Sequence, residues 1–400
     1  MTLPLIVRRS LRQHALSTAI TALSIALAGG LLMSVWVVKE QSQNTFTQVN
    51  TGFDAVLGAR GSKLQLVLNA IFHLEASPGN LAYSDYEFIK RHPAVKLAIP
   101  IAVGDNLRGY RIVGTIPEFF SDVEYKPGTK FRLEAGQAFN PSAKEAVLGN
   151  FVAQKLGLGV GDTFHPFHGL IFDEKNQHAE TYVVTGVLAP SNTPADKVIW
   201  IPLHGLQTMS GHDPRAATDV SAVLLQLRSP AAGFMLDMMY NKQGNRLTFA
   251  FPIGAIMADL FQKISWFDKV LALVAYLVAF VSATGVLVAI YNSMAARRRD
   301  IAILRALGAG RFLLFGAIVI EAAAIGVIGM LAAFAVYAVI VTAVAGVIRA
   351  QTGVLLNTFG YNPVMLWAPL GMIVLCALCG LLPAWKAYRT DVAENLSPIS

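Results

Sequence analysis

Charge is scarce in this sequence. Only 14% of its 400 residues are Asp, Glu, Lys or Arg, against about 25% in an ordinary soluble chain. The scarcity is local. Residues 15–38, 270–291, 312–348 and 363–384 carry one charged side chain among them, Glu321. Cysteine is scarcer still: Cys376 and Cys379 are the whole complement, and both lie in the last of these runs. No disulfide therefore holds residues 39–267, which must fold on a core of their own. A redox or metal-binding CxxC needs exposed, polarised thiols. This pair is preceded by Val-Leu, separated by Ala-Leu and followed by Gly-Leu-Leu, a setting that suits helix packing. A GxxxxGK[ST] phosphate loop is also absent, so ATP hydrolysis is not expected of this chain. No Ser–His–Asp order and no paired carboxylates point to a hydrolase, and no inverted repeat marks a secondary transporter.

What is present is a membrane pattern. Four runs of this length each suffice to cross a hydrocarbon core of about 30 Å. Arg8, Arg9 and Arg12 precede the first, five arginines from Arg297 to Arg311 lie between the second and third, and Lys386 and Arg389 follow the fourth. By the positive-inside rule both termini are cytoplasmic. The net charge of +7 does not indicate a nucleic-acid partner. Residues 39–267 hold 20 basic and 20 acidic side chains, so the whole excess sits beside the spans. Membrane lipid headgroups account for it. The third run is long for one span, and Gly326, Gly329 and Gly346 are candidate interruptions. In the first, Ser17, Thr18, Ser24, Ala28, Gly29 and Gly30 favour close helix contact.

The expected fold class is an α-helical membrane protein with four transmembrane helices and a large α+β extracytoplasmic domain between helices 1 and 2. The expected domains are 1–38 (an amphipathic segment and the first span), 39–267 (the periplasmic domain) and 268–400 (spans 2–4). Within 39–267, short Val- and Ile-rich runs bounded by Gly, Pro and Asp read as strands of mixed sheets. Residues 83–95 suggest a helix capped by Ser84 or Asp85 and ended by Pro93. Residues 141–158 read as a helical interruption. The stretch 246–274 leads into the second span with no obvious linker. A continuous helix there would couple the domain to the bilayer, whereas a plain tether would not.

Two groups of side chains stand out. His165, His168 and His178, with His204 and His212 beyond, could form a metal site with Asp162, Asp173 or Glu174. The H-x-x-H spacing matches no closed metal motif, and the flanking Pro166 and Gly169 equally describe a turn with surface histidines. Residues 294–311, Met-Ala-Ala-Arg-Arg-Arg-Asp-Ile-Ala-Ile-Leu-Arg-Ala-Leu-Gly-Ala-Gly-Arg, read as a short amphipathic helix near 295–309. It either anchors in headgroups or fits a groove on a cytoplasmic partner.

That segment resembles the coupling segment of the MacB/FtsX-like permeases of ABC transporters. The ending around Pro383, Ala384, Ala387 and Leu396, the opening arginines and the order of spans are similar too. The resemblance implies an inner-membrane permease subunit of a bacterium. It would couple ATP hydrolysis in a separate subunit to periplasmic conformational change, exporting or extracting a peptide, lipoprotein or hydrophobic small molecule. An ATPase-driven signalling protein acting on periplasmic cell-envelope partners is the alternative. It further implies that Arg297, Arg298, Arg299, Asp300, Ile303, Arg305 and Gly308 contact the ATPase, with Asp300 where the family usually has Glu. Glu321 matches a recurrent acidic position, serving either as a functional charge or as an interfacial residue paired with Arg311. The implied partners are a cytoplasmic ABC ATPase dimer, a second permease chain, identical rather than different, and a periplasmic adaptor or substrate-binding protein. No cofactor belongs to this chain; ATP and Mg are those of the partner.

Overall fold

The computed structural model describes residues 3–47, 51–212, 217–296, 303, 309–355, 357 and 360–389. The chain divides into two compact units, one of Met1–Gln41, Ile264–Ala345 and Asn357–Ser400, the other of Ser42–Lys263 and Gly346–Leu356.

The first unit is helical. Leu3–Gln13 forms a short helix ahead of Ala15–Thr47. Among the described residues, four helices are long and apolar enough to cross a membrane: Ala15–Phe46, Ile253–Met294, Arg311–Thr352 and Val364–Lys386. The helix Ile253–Ala296 runs 44 residues without a break, so the chain enters the second span as helix and not through a tether. The helix Arg311–Thr352 is also unbroken over 42 residues. The interruptions expected at its glycines do not occur, because two of these glycines are points of close approach. A Cβ on Gly329 would lie 2.6 Å from the Ile25 side chain and 3.0 Å from the Ala22 carbonyl oxygen; one on Gly326 would lie 3.2 Å from Cys376 Cβ. Lipid is as apolar as leucine, so helices in a bilayer gain little from hiding apolar surface and associate by tight packing. Gly29 faces Met330 and Ala333 in the same way. Buried Cys376 is thus a packing residue. Ser282 Oγ reaches the Ser24 carbonyl of the neighbouring helix at 3.0 Å.

The second unit is built on one mixed sheet. Its main strands are β1 (Ala55–Ala59), β2 (Val95–Leu107), β3 (Tyr110–Thr115), β4 (Leu133–Gly136), β5 (Glu145–Leu148), β6 (Tyr182–Leu188), β7 (Ile199–Pro202), β8 (Ala222–Leu227) and β9 (Leu247–Ala250). They lie in the order β9-β1-β8-β2-β3-β7-β5-β6-β4. The pairs β5·β6 and β3·β7 are parallel and the other neighbours antiparallel. Two short strands attach to the sheet: Thr163–Phe164 beside β6 and Phe167–His168 beside β2.

Both faces of the sheet are covered, and for this reason its central strands read as continuous apolar runs. Side chains alternate between faces along a strand. Leu57, Val223, Leu225, Ile199 and Ile201 enter one core, with Tyr86, Ile89, Val152 and Leu206 from the overlying helices. Val56, Ala222, Leu224, Ile99 and Trp200 enter the other, with Leu66, Val67, Phe119, Phe120 and Met257. Trp200 is centred there: Phe119 stacks on it at 4.2 Å, and its indole N–H donates to the Ala195 carbonyl at 3.2 Å. Each fully buried side chain of this size is worth about 1.5–3 kcal/mol.

Two local expectations are corrected. Residues 141–158 are not one helix: Glu145–Leu148 is strand β5, and only Asn150–Leu156 is helical. The β-branched and apolar Ala-Val-Leu run pairs between β6 and β7, where sheet burial outweighs helix propensity. Neither Ser84 nor Asp85 caps the helix Tyr83–Lys90; its N-cap is Ala82, with no side-chain cap. The helix begins two residues ahead of Asp85, whose carboxylate is taken instead by both guanidinium nitrogens of Arg246.

Segment Gly346–Leu356 packs within the second unit. Leu355 N–H donates to Asn192 Oδ1 at 2.5 Å, Lys197 Nζ donates to the Gln351 carbonyl, and the Arg349 guanidinium lies 5.4 Å over the Phe151 ring.

Two outcomes follow from this packing. Gly329→Val forces a branched side chain against Ile25 and the Ala22 carbonyl and should cost about 1–3 kcal/mol, as overpacking does; a lowered thermal transition of the detergent-solubilised protein is the readout. His73 is half-buried, its ring centred 5.9 Å from that of Trp200, and desolvation, followed by the charges of Arg111 and Lys197, lowers its pKa to about 3. Unfolded, it binds a proton below its ordinary value of 6.5, while folded it stays neutral. The unfolded state thus holds more protons between these two values, and stability falls on acidification through that window by up to about 1.4 kcal/mol per pH unit. Replacing His73 with Asn should flatten this part of the melting-temperature profile against pH.

Candidate functional site

Strand β2 ends in Val-Gly-Asp-Asn-Leu, an unusual place for a carboxylate. Its pairing with β3 slips between Val103 and Asp105, and such a bulge re-aims side chains. Here Asp105, 0% exposed, is directed into a group of three imidazoles. His168 stands directly opposite it across the strand pair. His178 is held by its own backbone N–H, which donates to the Pro166 carbonyl at 2.9 Å. His212 comes from the loop after the helix Leu203–Gln207.

All three converge on a single atom. Asp105 Oδ1 lies 3.5 Å from His168 Nδ1, 3.3 Å from His178 Nε2 and 3.2 Å from His212 Nε2. The ring centroids are 5.1 to 5.4 Å apart. The far nitrogens are occupied: His178 Nδ1 donates to the Ser210 carbonyl at 2.6 Å, and His212 Nδ1 to the Leu206 carbonyl at 2.9 Å. The Asp105 carboxylate beside it raises the His212 imidazole above its ordinary pKa.

Surrounding groups hold the loops. Buried Asn106 donates to the Gly169 carbonyl at 2.8 Å, fixing the turn after His168, and accepts from Gly109 N–H at 3.0 Å in the turn between β2 and β3. Glu180 accepts from both the backbone N–H and the hydroxyl of Ser210, at 3.0 and 2.8 Å. A cavity of about 280 Å³, bordered by His168, His212, Gln207 and Asp219, opens beside the cluster.

The structure thus brings together His168 and His178 of the three histidines first singled out. His165 stands apart, with its Nδ1 3.1 Å from the Glu180 carbonyl. Asp162 and Asp173 are engaged with backbone N–H groups of their own turns, those of Gly159 and Lys175. The carboxylate is Asp105, some 60 residues earlier, and the third imidazole is His212. An Asp following the apolar run 97–103 within one strand was the one available signal.

In the helical unit, Glu321 accepts from the Ser10 hydroxyl, while Arg311 lies 5.7 Å over the Tyr388 ring. The pairing of Glu321 with Arg311 is therefore replaced by two separate contacts. An apolar cavity of about 530 Å³ lies among Leu32, Trp36, Tyr276, Trp367 and Met372, with Asn362 donating to Glu40 at 2.8 Å on its border. Of the coupling residues, Ile303 is helical and exposed; Arg297, Arg298, Arg299, Asp300, Arg305 and Gly308 lie outside the described residues.

Two family profiles match the chain. The MacB-like periplasmic core domain matches residues 18–233, more than half of its length, and the FtsX-like permease C-terminal region matches residues 272–392. The chain belongs to the MacB/FtsX-like family of ABC transporter permeases. Permeases of this family are non-catalytic transport subunits that couple ATP hydrolysis to periplasmic conformational change. This permease is accordingly a multi-pass membrane protein with a large α+β periplasmic domain. Among solved structures, it is similar to the extracellular domain of the noncanonic ABC-type transporter YknZ from Gram-positive bacteria. The identity is 16% and the TM-score 0.31, over 48% of this chain and 97% of that one. It is also similar to the periplasmic region of MacB from Actinobacillus actinomycetemcomitans. There the identity is 13% and the TM-score 0.35, over 54% of this chain and 94% of that one. No curated protein matches the permease.

Asn106→Ala removes the hydrogen bond to the Gly169 carbonyl in the turn after His168 and the one from Gly109 N–H in the turn between β2 and β3. A loss of about 1–3 kcal/mol is expected for the polar groups left without partners, seen as a lower melting temperature of the solubilised permease.

Proposed function

We propose that this permease works as a homodimer on a dimer of cytoplasmic ABC ATPases and moves a peptide, lipoprotein or hydrophobic small molecule across or out of the inner membrane. In this reading residues 39–267 face the periplasm, both termini are cytoplasmic, and the segment near 295–309 docks on the ATPase. The observation that carries it is the order of parts. One membrane-length helix precedes the α+β domain and three follow it, in a chain matched by both family profiles. The unbroken helices Ile253–Ala296 and Arg311–Thr352 support mechanical transmission, since hydrogen-bonded helix is stiff over such lengths. The apolar lining of the 530 Å³ cavity supports an apolar cargo or cargo segment. Arg297, Arg298, Arg299, Asp300, Ile303, Arg305 and Gly308 are assigned to ATPase contact by their resemblance to the coupling segment. Glu321 is assigned as the membrane charge on the same basis.

Co-purification with candidate ATPases in detergent tests the reading. A stable complex with stimulated ATP hydrolysis is expected, and Arg298→Glu combined with Asp300→Lys should cut that stimulation at least about tenfold, the loss typical of breaking desolvated charge pairs. Undiminished stimulation in the double variant would remove the coupling assignment. Cargo is then sought as a compound or peptide that raises hydrolysis further in the wild-type complex.

A further inference from the structure

We infer that Asp105, His168, His178 and His212 form a tetrahedral site for a divalent transition metal, with Zn²⁺ the ion of best fit. The inference stands apart from the transport reading.

Geometry supplies the first argument. Ligands about 2.0–2.1 Å from a tetrahedral zinc ion are separated by about 3.3–3.4 Å along each edge. The three edges from Asp105 Oδ1 measure 3.5, 3.3 and 3.2 Å. The nitrogen–nitrogen edges lie within 4.8 Å, so the imidazoles would close toward about 3.4 Å on binding the ion. Three imidazoles and one carboxylate are a donor set suited to Zn²⁺. A softer set would need thiolate, and Mg²⁺ or Ca²⁺ would need more oxygen.

Proton accounting supplies the second. Carbonyl oxygens only accept, so the Nδ1 atoms of His178 and His212 carry the protons donated to Ser210 and Leu206. Their Nε2 atoms then present lone pairs to Asp105 Oδ1, itself an acceptor. Lone pairs facing one another at 3.2–3.3 Å repel unless a positive centre lies between them. The alternative is to protonate both rings, which would set two imidazolium charges against one buried carboxylate, at a high desolvation cost. One divalent cation satisfies the four donor atoms together. The Nδ1–H to carbonyl bonds are also the usual means by which metal-bound imidazoles are oriented.

The third observation is Asp105 itself. It is fully buried, its Oδ2 has no hydrogen-bond partner, and among the described residues its ion-pair partners are these imidazoles alone. An uncompensated carboxylate in a sheet interior is costly unless it serves as a ligand. With four protein donors the site is closed, as in metal centres that hold structure and not in those that activate water. Its ligands tie β2 to the short strand Phe167–His168 and to the loops carrying His178 and His212. His168, 53% exposed at its side chain, and the adjoining cavity give the ion a route in and out.

The test is metal analysis and titration of the full-length permease in detergent. Purified without chelator, it should carry about one zinc per chain; after chelation it should rebind Zn²⁺ at one site and develop the visible bands of tetrahedral Co²⁺. Affinity should fall in Asp105→Asn and His178→Gln by at least the roughly 10- to 100-fold that loss of a mere outer-shell partner costs. His168→Gln, at the exposed ligand, provides a variant that spares the core and should lose at least tenfold. His165→Gln should bind as wild type. Absence of a saturable Zn²⁺ site in the wild-type chain, or unchanged affinity in a folded His168→Gln, would overturn the inference. Because the readout is metal stoichiometry, its failure is distinguishable from failure of the ATPase complex.

Discussion

Burial of the central sheet on both faces is the constraint from which the periplasmic domain follows. A strand covered on one face alternates apolar and polar residues; one covered on both cannot. Strands β7 and β8 are buried at every position. This demand recruits helices to each side, among them Lys63–Ala70 on the Trp200 side and Tyr83–Lys90 on the other. It also leaves little tolerance for polar groups in the strands. A carboxylate such as Asp105 persists there only with dedicated partners, and the histidine cluster supplies them.

The helical unit obeys a different rule. Its helices share a solvent as apolar as their own side chains, so contact depends on shape and on hydrogen bonds. Gly29, Gly326 and Gly329 let backbones approach, and Ser282 bonds to the Ser24 carbonyl. The same residue types that would weaken a helix in water serve here as contact surfaces. Two of the glycines read as breaks in the third span, Gly326 and Gly329, are therefore its packing points. Hydropathy registers their small size but not the neighbour that fills the space.

Much of the fold was legible in the sequence. The spans were marked by charge depletion, and most strands by β-branched runs between turn residues. Errors arose where local propensity met a tertiary demand. Residues 145–148 look helix-compatible in isolation and become strand because a slot in the sheet awaits them. Ser84 and Asp85 look like caps, and Arg246, 161 residues from Asp85, takes the carboxylate instead.

The amino-acid sequence by itself determined the membrane architecture and the family, because both depend on composition over long windows and on motifs contiguous in the chain. The metal-ligand cluster was decided by tertiary structure. His168 and His178 are near enough in sequence to be noticed together, but the group that joins them is Asp105, brought opposite His168 by strand pairing and aimed by a bulge. His212 arrives on a separate loop held through Ser210 and Glu180. Sheet register and loop anchoring set distances of about 3 Å between residues up to 107 positions apart, and no periodicity in a linear sequence encodes that proximity.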